Sequence, residues 1–216
     1  MLKILRVGAC VFGLTACCAT IFAQTGTHDG FELVRDEDNI RVYERWVTFP
    51  GSNPPIIARE VKSEFFAKAQ ILQALSLIRD QSKIGSWQKH VSDFKVYPHA
   101  DSVWYEYSYH NIPWPVSDQD HFLEYTIEDS HQSDGSFISF RTVENNTLQP
   151  VRENVSRMTL SGSWYFQDTH DGRVKITYRI LSMPGHLPRF ITDPVIRNNL
   201  MSTIRAFIDL LEEETE

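Results

Sequence analysis

The chain has no cysteine after residue 18. Its three cysteines, Cys10, Cys17 and Cys18, all lie near the start of the 216 residues. Disulfides therefore cannot cross-link the body of the fold, and thiol chemistry is excluded there. A chain of this length is typical of one domain, which must then be stabilised by its hydrophobic core.

Basic residues are also scarce: 21 Lys and Arg stand against 28 Asp and Glu, a formal charge of −7. Because nucleic-acid-binding domains usually present a basic face, we expect no nucleic-acid partner. The sequence has no phosphate-binding loop, dinucleotide fingerprint, nucleophile turn or paired zinc-binding histidines. Asp118, Asp120 and His121 look like metal ligands, but in a strand His121 faces away from both aspartates. The sequence therefore predicts no metal and no cofactor.

The N-terminal segment predicts export. Lys3 and Arg6 precede an uncharged run over 7–23, which ends in Ala23. A basic start, an apolar stretch and a small final residue are typical of a secretory signal peptide, so we expect cleavage after Ala23 and a periplasmic protein. Two alternatives remain open. Residues 14–17 (Leu-Thr-Ala-Cys) match a lipobox, which would lipidate Cys17 and anchor the protein to a bacterial membrane, or the segment stays as an uncleaved anchor.

The remaining chain predicts a flexible leader over 24–30 and one domain over 31–214, with a charge of −9 once two bases at 1–23 are removed. Alternating patterns predict strands at 31–35, 40–47, 56–62, 93–98, 102–110, 119–128, 136–144, 154–166 and 173–182. Helical spacing predicts a helix from Glu64, capped by Ser63, and a C-terminal helix with Asp193 as cap and Pro194 as its first residue. The fold class is therefore α+β: a curved antiparallel sheet around the C-terminal helix, with an apolar cavity between them.

Three motifs resemble those of START domains, the steroidogenic-acute-regulatory-type lipid-transfer modules. The stretch 112–120 (Ile-Pro-Trp-Pro-Val-Ser-Asp-Gln-Asp) resembles the family's LPWPxxxRD segment, and Gly162-Ser163-Trp164 resembles its G-x-W strand. Thr177-Tyr178, followed by Pro184-Gly185 and Leu187-Pro188, resembles its T-x-Y strand and the loop that follows. The resemblance covers about Phe31 to Leu211. It implies a helix-grip fold that encloses one hydrophobic ligand, a lipid or sterol, without catalysis.

Two positions depart from the family pattern. Gln119 stands where the family has arginine, and His186 stands where it has the second glycine. Gln119 offers only neutral hydrogen bonds, which favours a neutral polar group on the ligand. His186 replaces a residue that reaches positive φ at little cost, so we expect this loop to differ.

Strand alternation predicts the ligand-binding residues. One face of the 119–128 strand carries Gln119, His121, Leu123 and Tyr125, and one face of the preceding strand carries Tyr105, Tyr107 and Tyr109. We expect both faces to line the cavity, although the tyrosines would equally suit the core or the outer face. Trp87, Leu200 and Ile204 complete the expected site. Trp114 is expected to be a structural anchor and Trp164 to lie in the core.

The sequence thus favours a monomeric exported protein that binds, and carries or sequesters, a lipid or other hydrophobic ligand, with a transient membrane contact. Two alternatives stay open. One is an enzyme resembling the aromatic polyketide cyclases of the same fold, with His121, Tyr125 or Glu106 as acid or base. The other is a periplasmic protein whose cavity is vestigial and filled by its own side chains.

Overall fold

The computed structural model describes residues 29–112, 114, 117–128, 135–184 and 189–213. The predicted signal peptide, the lipidation site Cys17 and the leader up to residue 28 lie outside the described residues. So do several residues of the START-like motifs, namely Pro113, Pro115, Val116, Gly185, His186, Leu187 and Pro188.

Within these ranges the chain forms ten strands and three helices. The strands are β1 Glu32–Glu37, β2 Ile40–Thr48, β3 Ile57–Ala67, β4 Val91–Ala100, β5 Val103–His110, β6 Gln119–Glu128, β7 Gly135–Thr142, β8 Ser156–Arg157, β9 Leu160–Asp168 and β10 Val174–Ser182. The helices are α1 Ile71–Arg79, α2 Ile84–Trp87 and α3 Arg189–Glu213.

The strands form one sheet in the order β1-β2-β3-β10-β9-β7-β6-β5-β4, antiparallel throughout this path. The short strand β8 lies off the path and pairs in parallel with β6. The sheet curves around α3 and does not close. The predicted α+β class, an antiparallel sheet with one long C-terminal helix, is confirmed.

One face of the sheet, which we call the inner face, packs against the helices. Phe207 of α3 contacts the rings of Phe65 on β3, Trp164 on β9 and Trp87 on α2, with centroids 6.4, 5.6 and 5.0 Å apart. The predicted core position of Trp164 is confirmed, since only 6% of it is exposed. Aromatic side chains therefore fill the space beneath the C-terminal half of α3.

The predicted helix from Glu64 is wrong. Strand β3 continues to Ala67, and α1 begins at Ile71 after the N-cap Gln70. Phe65 is fully buried whereas Phe66 is 37% exposed, which is the alternation of a strand. Ser63 therefore lies buried within the sheet and does not cap a helix.

Helix α3 begins earlier than predicted, at Arg189, and Pro194 lies inside it. The apolar stripe also divides into two parts. Ile204 and Leu211 are buried, but Leu200 is only partly buried and Ile196 is 40% exposed. The C-terminal half of α3 is thus bound by apolar packing, whereas no apolar side chain between 192 and 200 is fully buried. No helix among the described residues is long and apolar enough to cross a membrane.

Candidate functional site

A group of polar side chains lies on the inner face of β5 and β6, where apolar residues would be expected. The antiparallel register pairs Glu106 with Leu123, Ser108 with His121 and Trp104 with Tyr125, so these side chains share one face. We call the polar members of this group the interior polar cluster: Glu106, Ser108, His110, His121 and Tyr125.

Glu106 and His121 form the centre of the cluster. Glu106 is 2% exposed and His121 is 7% exposed, and Oε1 of Glu106 lies 3.2 Å from Nε2 of His121. The Tyr125 hydroxyl donates a hydrogen bond to the Glu106 side chain. The His110 and His121 rings lie 5.1 Å apart between centroids.

Burial keeps the cluster uncharged at neutral pH. Desolvation raises the pKa of Glu106 to about 8, although the Tyr125 hydrogen bond acts in the opposite direction. Desolvation also lowers the pKa of His121 to about 4 and that of His110 to about 3, the latter with a further contribution from the neighbouring His121. Burial raises the pKa of Tyr125 well above its usual value. At pH 7 the acid is therefore protonated and both imidazoles are neutral.

Several polar atoms here have no hydrogen-bond partner in the described part of the protein. They are Nδ1 of His121, Nε2 of His110, Oγ of Ser108 and Nε1 of Trp104. A protonated Glu106 donates to Nε2 of His121, which places the imidazole proton on Nδ1 as a free donor. Because a buried unpaired polar atom is costly, this arrangement suits a ligand or water oxygen that accepts from these donors.

A continuous series of aromatic rings connects the cluster to α3. Trp104 stacks on Tyr125 at 4.8 Å, and Phe140 lies 5.1 Å from Tyr125. Tyr178 lies between Phe140 and Trp164, at 6.1 and 4.1 Å. The cluster is thus the polar end of an apolar, ring-lined interior.

Some predicted site residues meet at this interior. Gln119, His121, Leu123 and Tyr125 share the inner face of β6, as their alternation predicted. Three further predicted residues lie on the helices that pack against this face. Trp87 on α2 and Ile204 on α3 are each 2% exposed, and Leu200 on α3 packs against the same core. Ligand binding by these residues stays a prediction.

The expectation that the three tyrosines share this wall is wrong. Tyr105, Tyr107 and Tyr109 alternate with Glu106 and therefore lie on the outer face. Tyr107 is nonetheless fully buried, because the segment 143–155 covers this part of the outer face and its Arg152 lies over the Tyr107 and Tyr109 rings at 5.2 and 4.9 Å. Tyr107 and Tyr109 thus hold that segment on the sheet through Arg152.

The sequence predicts Glu106 only as an acid or base of the enzyme alternative, and it does not predict Ser108 and His110 as site residues. A signal is nonetheless present, because Trp104, Glu106, Ser108 and His110 alternate with the tyrosines. Which face of β5 is the inner one can be decided only once the pairing of β5 with β6 is known.

A cluster of ion pairs holds the N-terminal half of α3 against the sheet. Arg59 on β3 lies 2.8 Å from Asp193 and 3.6 Å from Glu44 on β2. Arg197 donates twice to Glu44, at 2.9 and 2.7 Å. We call Glu44, Arg59, Asp193 and Arg197 the helix clasp. Polar contacts thus bind the part of α3, over 192–200, in which no apolar side chain is fully buried.

Trp114 is 92% exposed, so its predicted role as a structural anchor is wrong. Trp114 lies in a turn of the loop between β5 and β6, and its exposed ring does not pack in the core.

The described residues contain no group of His, Cys, Asp or Glu that could hold a metal ion.

Two surface depressions are also present. One of about 420 Å³ has Ser139, Ser163 and Arg179 in its lining, which belong to the outer face of the sheet. The other, of about 350 Å³, lies beside Trp46 and Arg197.

Comparison with known proteins identifies the fold. No family model matches the chain. An uncharacterized protein of Pseudomonas aeruginosa is 21% identical over 206 residues, which are 94% of this chain and 98% of that protein. The structure is similar to a STAR-related lipid transfer protein fragment from Xanthomonas axonopodis, with a TM-score of 0.71, 24% identity, and coverage of 85% of this chain and 99% of that one.

Two further structures share the architecture. Human StAR-related lipid transfer protein 5 has a TM-score of 0.74 and 12% identity, covering 88% of this chain and 90% of that one. The Zhui aromatase/cyclase from a Streptomyces species has a TM-score of 0.55 and 10% identity, covering 74% and 96%. The chain therefore has the START-type helix-grip fold that its motifs predicted.

Proposed function

We propose that this protein binds one hydrophobic ligand, a lipid or a similar molecule with one uncharged polar group, between the inner face of the sheet and α3. The interior polar cluster carries this proposal. A set of buried donors without partners, at the end of an aromatic interior, suits a ligand that is apolar along its length and has an oxygen at one end. The likeness to lipid transfer proteins supports the same class of ligand.

The electrostatics of the cluster select against a charged ligand group. Glu106 is protonated and His110 and His121 are neutral at pH 7, so none of these three side chains supplies a charge to balance a carboxylate, a phosphate or an ammonium group. Gln119, on the same face, also offers only neutral hydrogen bonds. Bringing an unpaired charge into this interior would be strongly unfavourable, so a hydroxyl or carbonyl group is the fitting partner.

Ligand entry requires a movement, because aromatic side chains fill the interior beneath the C-terminal half of α3. The N-terminal half of α3 is the movable part, since the helix clasp holds it and no apolar side chain described there, over 192–200, is fully buried. Opening the clasp exposes charged groups to water, where they are well solvated, and does not expose a hydrophobic core.

Native mass spectrometry of the protein purified from its original host, followed by solvent extraction, tests ligand binding. We expect one bound lipid-like molecule with a hydroxyl or carbonyl group. A protein that is repeatedly empty and takes up nothing from liposomes would exclude the proposal and favour an interior occupied by the protein's own side chains.

A pair of variants tests the role of the polar cluster. Replacing His121 with Leu removes the free Nδ1 donor, so affinity for the extracted ligand should fall about tenfold, while affinity for its deoxy analogue should not fall. Glu124→Leu, on the outer face of the same strand, is the matched control. Equal losses for both ligands would show that the imidazole does not contact the polar group.

The site of action proposed is the bacterial periplasm, with the protein acting as a monomer that carries or sequesters its ligand. The predicted signal peptide at 1–23 motivates this location. Cell fractionation and the intact mass of the purified protein test it: cleavage after Ala23 gives a free protein, and a diacyl modification on Cys17 gives an anchored one. A cytoplasmic protein of full mass would refute export.

A polyketide-cyclase-like enzyme is the second candidate, favoured by the contact between Glu106 and His121 and by the likeness to the aromatase/cyclase fold. A protonated carboxyl group beside a neutral imidazole can donate and accept a proton in the same interior. If the protein is such an enzyme, His121→Ala abolishes turnover and retains binding. Absence of turnover by the wild-type protein on polyketide-like substrates removes this candidate.

A further inference from the structure

A serine without a hydrogen-bond partner lies beside the contact between Glu106 and His121. Ser108 is fully buried on the inner face of β5, and the strand register places it directly opposite His121 on β6. Directly opposed residues of an antiparallel pair have their Cβ atoms about 4.5–5.5 Å apart. The Ser108 hydroxyl and the His121 imidazole are therefore neighbours across the two strands.

The two nitrogens of His121 have different surroundings. Oε1 of Glu106 lies 3.2 Å from Nε2. Nδ1 has no hydrogen-bond partner in the described part of the protein, and Oγ of Ser108 has none either. Because a serine side chain is short, the nitrogen that it can reach is Nδ1, which is bonded to the ring carbon nearest the backbone. Rotation about χ1 of Ser108 turns Oγ toward Nδ1, and hydrogen bonds of this kind are often long until a substrate is bound.

A hydroxyl, an imidazole and a carboxyl group in this order are the groups of a nucleophilic acyl-transfer site. The imidazole removes the hydroxyl proton, and the carboxyl group orients the ring. Such sites occur on unrelated folds and are recognised by their geometry, so the lack of a nucleophile turn in the sequence does not argue against one.

Two further donors lie next to Ser108 on the inner face. His110 follows Ser108 by two residues on the same face of β5, and its Nε2 has no partner among the described residues. Gln119 on β6 is paired with His110. Imidazole and amide N–H groups are among those that stabilise the oxyanion formed in acyl transfer.

We propose that the protein hydrolyses a carboxylic ester of an apolar ligand, with Ser108 as nucleophile, His121 as general base and Glu106 as the residue that positions the imidazole. This inference rests on the proposed function, because the ester must first occupy the interior between the sheet and α3. An ester suits this interior, since its carbonyl oxygen is an uncharged acceptor and the groups on both sides of it are apolar.

The reaction has two halves. Oγ of Ser108 forms a bond to the ester carbonyl carbon while its proton passes to Nδ1 of His121, and the carbonyl oxygen takes the electron pair of the broken π bond. When the carbonyl forms again, the bond to the alcohol oxygen breaks and the alcohol takes the proton from His121. Water then attacks the acyl group with the same proton transfers, which releases the carboxylic acid and restores Ser108.

The products are bound less well than the ester. A carboxylic acid ionises in water, and neither Glu106 nor the neutral histidines His110 and His121 offer a positive charge to a carboxylate. Because an unpaired charge is unfavourable in this interior, the acid leaves after it is formed.

The ionisation of Glu106 determines whether His121 can act as the base. A protonated Glu106 donates to Nε2, so Nδ1 carries the imidazole proton and cannot accept another from Ser108. An ionised Glu106 accepts from Nε2–H and leaves the electron pair of Nδ1 free. Burial raises the pKa of Glu106 to about 8, so turnover should rise as pH increases through about 8.

The neighbouring titratable groups do not change charge in this range. On the inner face they are Tyr125, Tyr178 and His110, and across the sheet they are Asp120 and Arg157. Burial raises the pKa of both tyrosines and lowers that of the histidine, so the former stay protonated and the latter stays neutral. The aspartate and the arginine form an ion pair of 2.7 Å.

Labelling of the full chain with an alkyl fluorophosphonate, which reacts with activated serines, tests the nucleophile. We expect one adduct by intact mass, located on Ser108 by peptide mapping and formed faster at pH 8.5 than at pH 6.5. The absence of an adduct, or an adduct on another serine, overturns the proposal.

Hydrolysis of p-nitrophenyl octanoate at pH 8.5 tests the activity. Ser108→Ala should lower kcat/KM at least about 100-fold. Ser63→Ala is the matched control, because Ser63 is also fully buried on the inner face with an unpartnered hydroxyl, but is paired with Val42 and Tyr178 and not with a histidine. Equal losses in the two variants overturn the proposal. Glu106→Gln should remove the rise in rate near pH 8, and a rise that persists shows that Glu106 does not control the base.

A ketone analogue, in which CH2 replaces the bridging oxygen of this ester, separates binding from hydrolysis. It keeps the carbonyl group, and the wild type and Ser108→Ala should bind it with Kd values within about threefold of each other. Binding of the ketone without hydrolysis of the ester between pH 6.5 and 9 refutes the hydrolysis and leaves the proposed function in place. A protein that binds no ketone and is also empty when purified from its host refutes the proposed function, and the hydrolysis with it.

Discussion

Replacing Glu106 with Gln should change how the stability of the protein depends on pH. The pKa of Glu106 rises from an ordinary value of 4.5 to about 8 on folding, so between these values the folded protein binds a proton that the unfolded chain has released. Stability therefore falls as pH rises, and the fall is complete above the folded pKa. The amide of the Glu106→Gln variant does not titrate, so the substitution removes this dependence.

The histidines act in the opposite direction at lower pH. The pKa values of His110 and His121 fall from 6.5 to about 3 and about 4 on folding, so below pH 6.5 the unfolded chain binds the extra protons. Stability then decreases as pH falls. Wild-type stability should accordingly be greatest near pH 6.5. From pH 6.5 to 8 the Glu106 effect alone covers about 1.5 pH units at about 1.4 kcal/mol each, a loss of about 2 kcal/mol.

Urea unfolding at pH 6.5 and pH 8 measures this difference. We expect the free energy of unfolding of Glu106→Gln relative to wild type to increase by about 2 kcal/mol between the two pH values. Glu124→Gln, whose carboxylate accepts hydrogen bonds from Arg141 on the outer face, is the control and should show no such increase. If the wild type and Glu106→Gln lose the same stability over this interval, Glu106 is ionised at pH 7 and the neutral character of the cluster is refuted.

Three further predictions concern other parts of the molecule. Gly162→Ala should destabilise the protein by about 1–3 kcal/mol in urea unfolding, because the added Cβ would meet the Arg179 carbonyl and the Phe140 ring. Gly85→Ala, which has open space around it, is the control and should not change the free energy of unfolding. Equal effects of the two substitutions would refute the packing explanation. Arg197→Met should speed the release of a bound fluorescent lipid about fivefold or more, because it opens the helix clasp. Arg205→Met, in the C-terminal half of α3, is the control and should leave the release rate unchanged. Equal release rates in the two variants would show that the N-terminal half of α3 is not the movable part. Tyr107→Ala should cost about 3–5 kcal/mol of stability but leave the ligand affinity of the folded protein unchanged, and a selective loss of affinity would return the tyrosines to the site.

Alternation within single strands could be predicted from the sequence. The inner face of β6 follows from the spacing of Gln119, His121 and Leu123, because every second residue of a strand lies on one face. The relation between two strands could not be predicted in this way. A shift of one residue in the pairing of β5 with β6 exchanges the faces of β5, and nothing in the loop 111–118 indicates which register forms. The prediction for the tyrosines is wrong for this reason.

Contacts between distant segments have no local signal at all. Glu44 and Arg197 of the helix clasp are 153 residues apart, and each reads in sequence as an ordinary surface charge. The end of β3 could not be predicted for a related reason. Phe65 and Leu72 are spaced as on one helical face, but Phe65 belongs to the sheet and is buried by Phe207, a residue of α3. Tertiary packing overrides the local pattern in both cases.

The interior polar cluster is costly to the stability of the fold. A buried acid remains protonated, and unpaired polar atoms on His110, Ser108, His121 and Trp104 face no partner in the described part of the protein, each at a cost of about 1–3 kcal/mol. Apolar side chains of similar size would stabilise the fold, so stability alone does not account for these residues. The cost falls when an oxygen atom enters and accepts from the free donors. The cost of the cluster and its selection of an uncharged ligand are therefore two consequences of one arrangement.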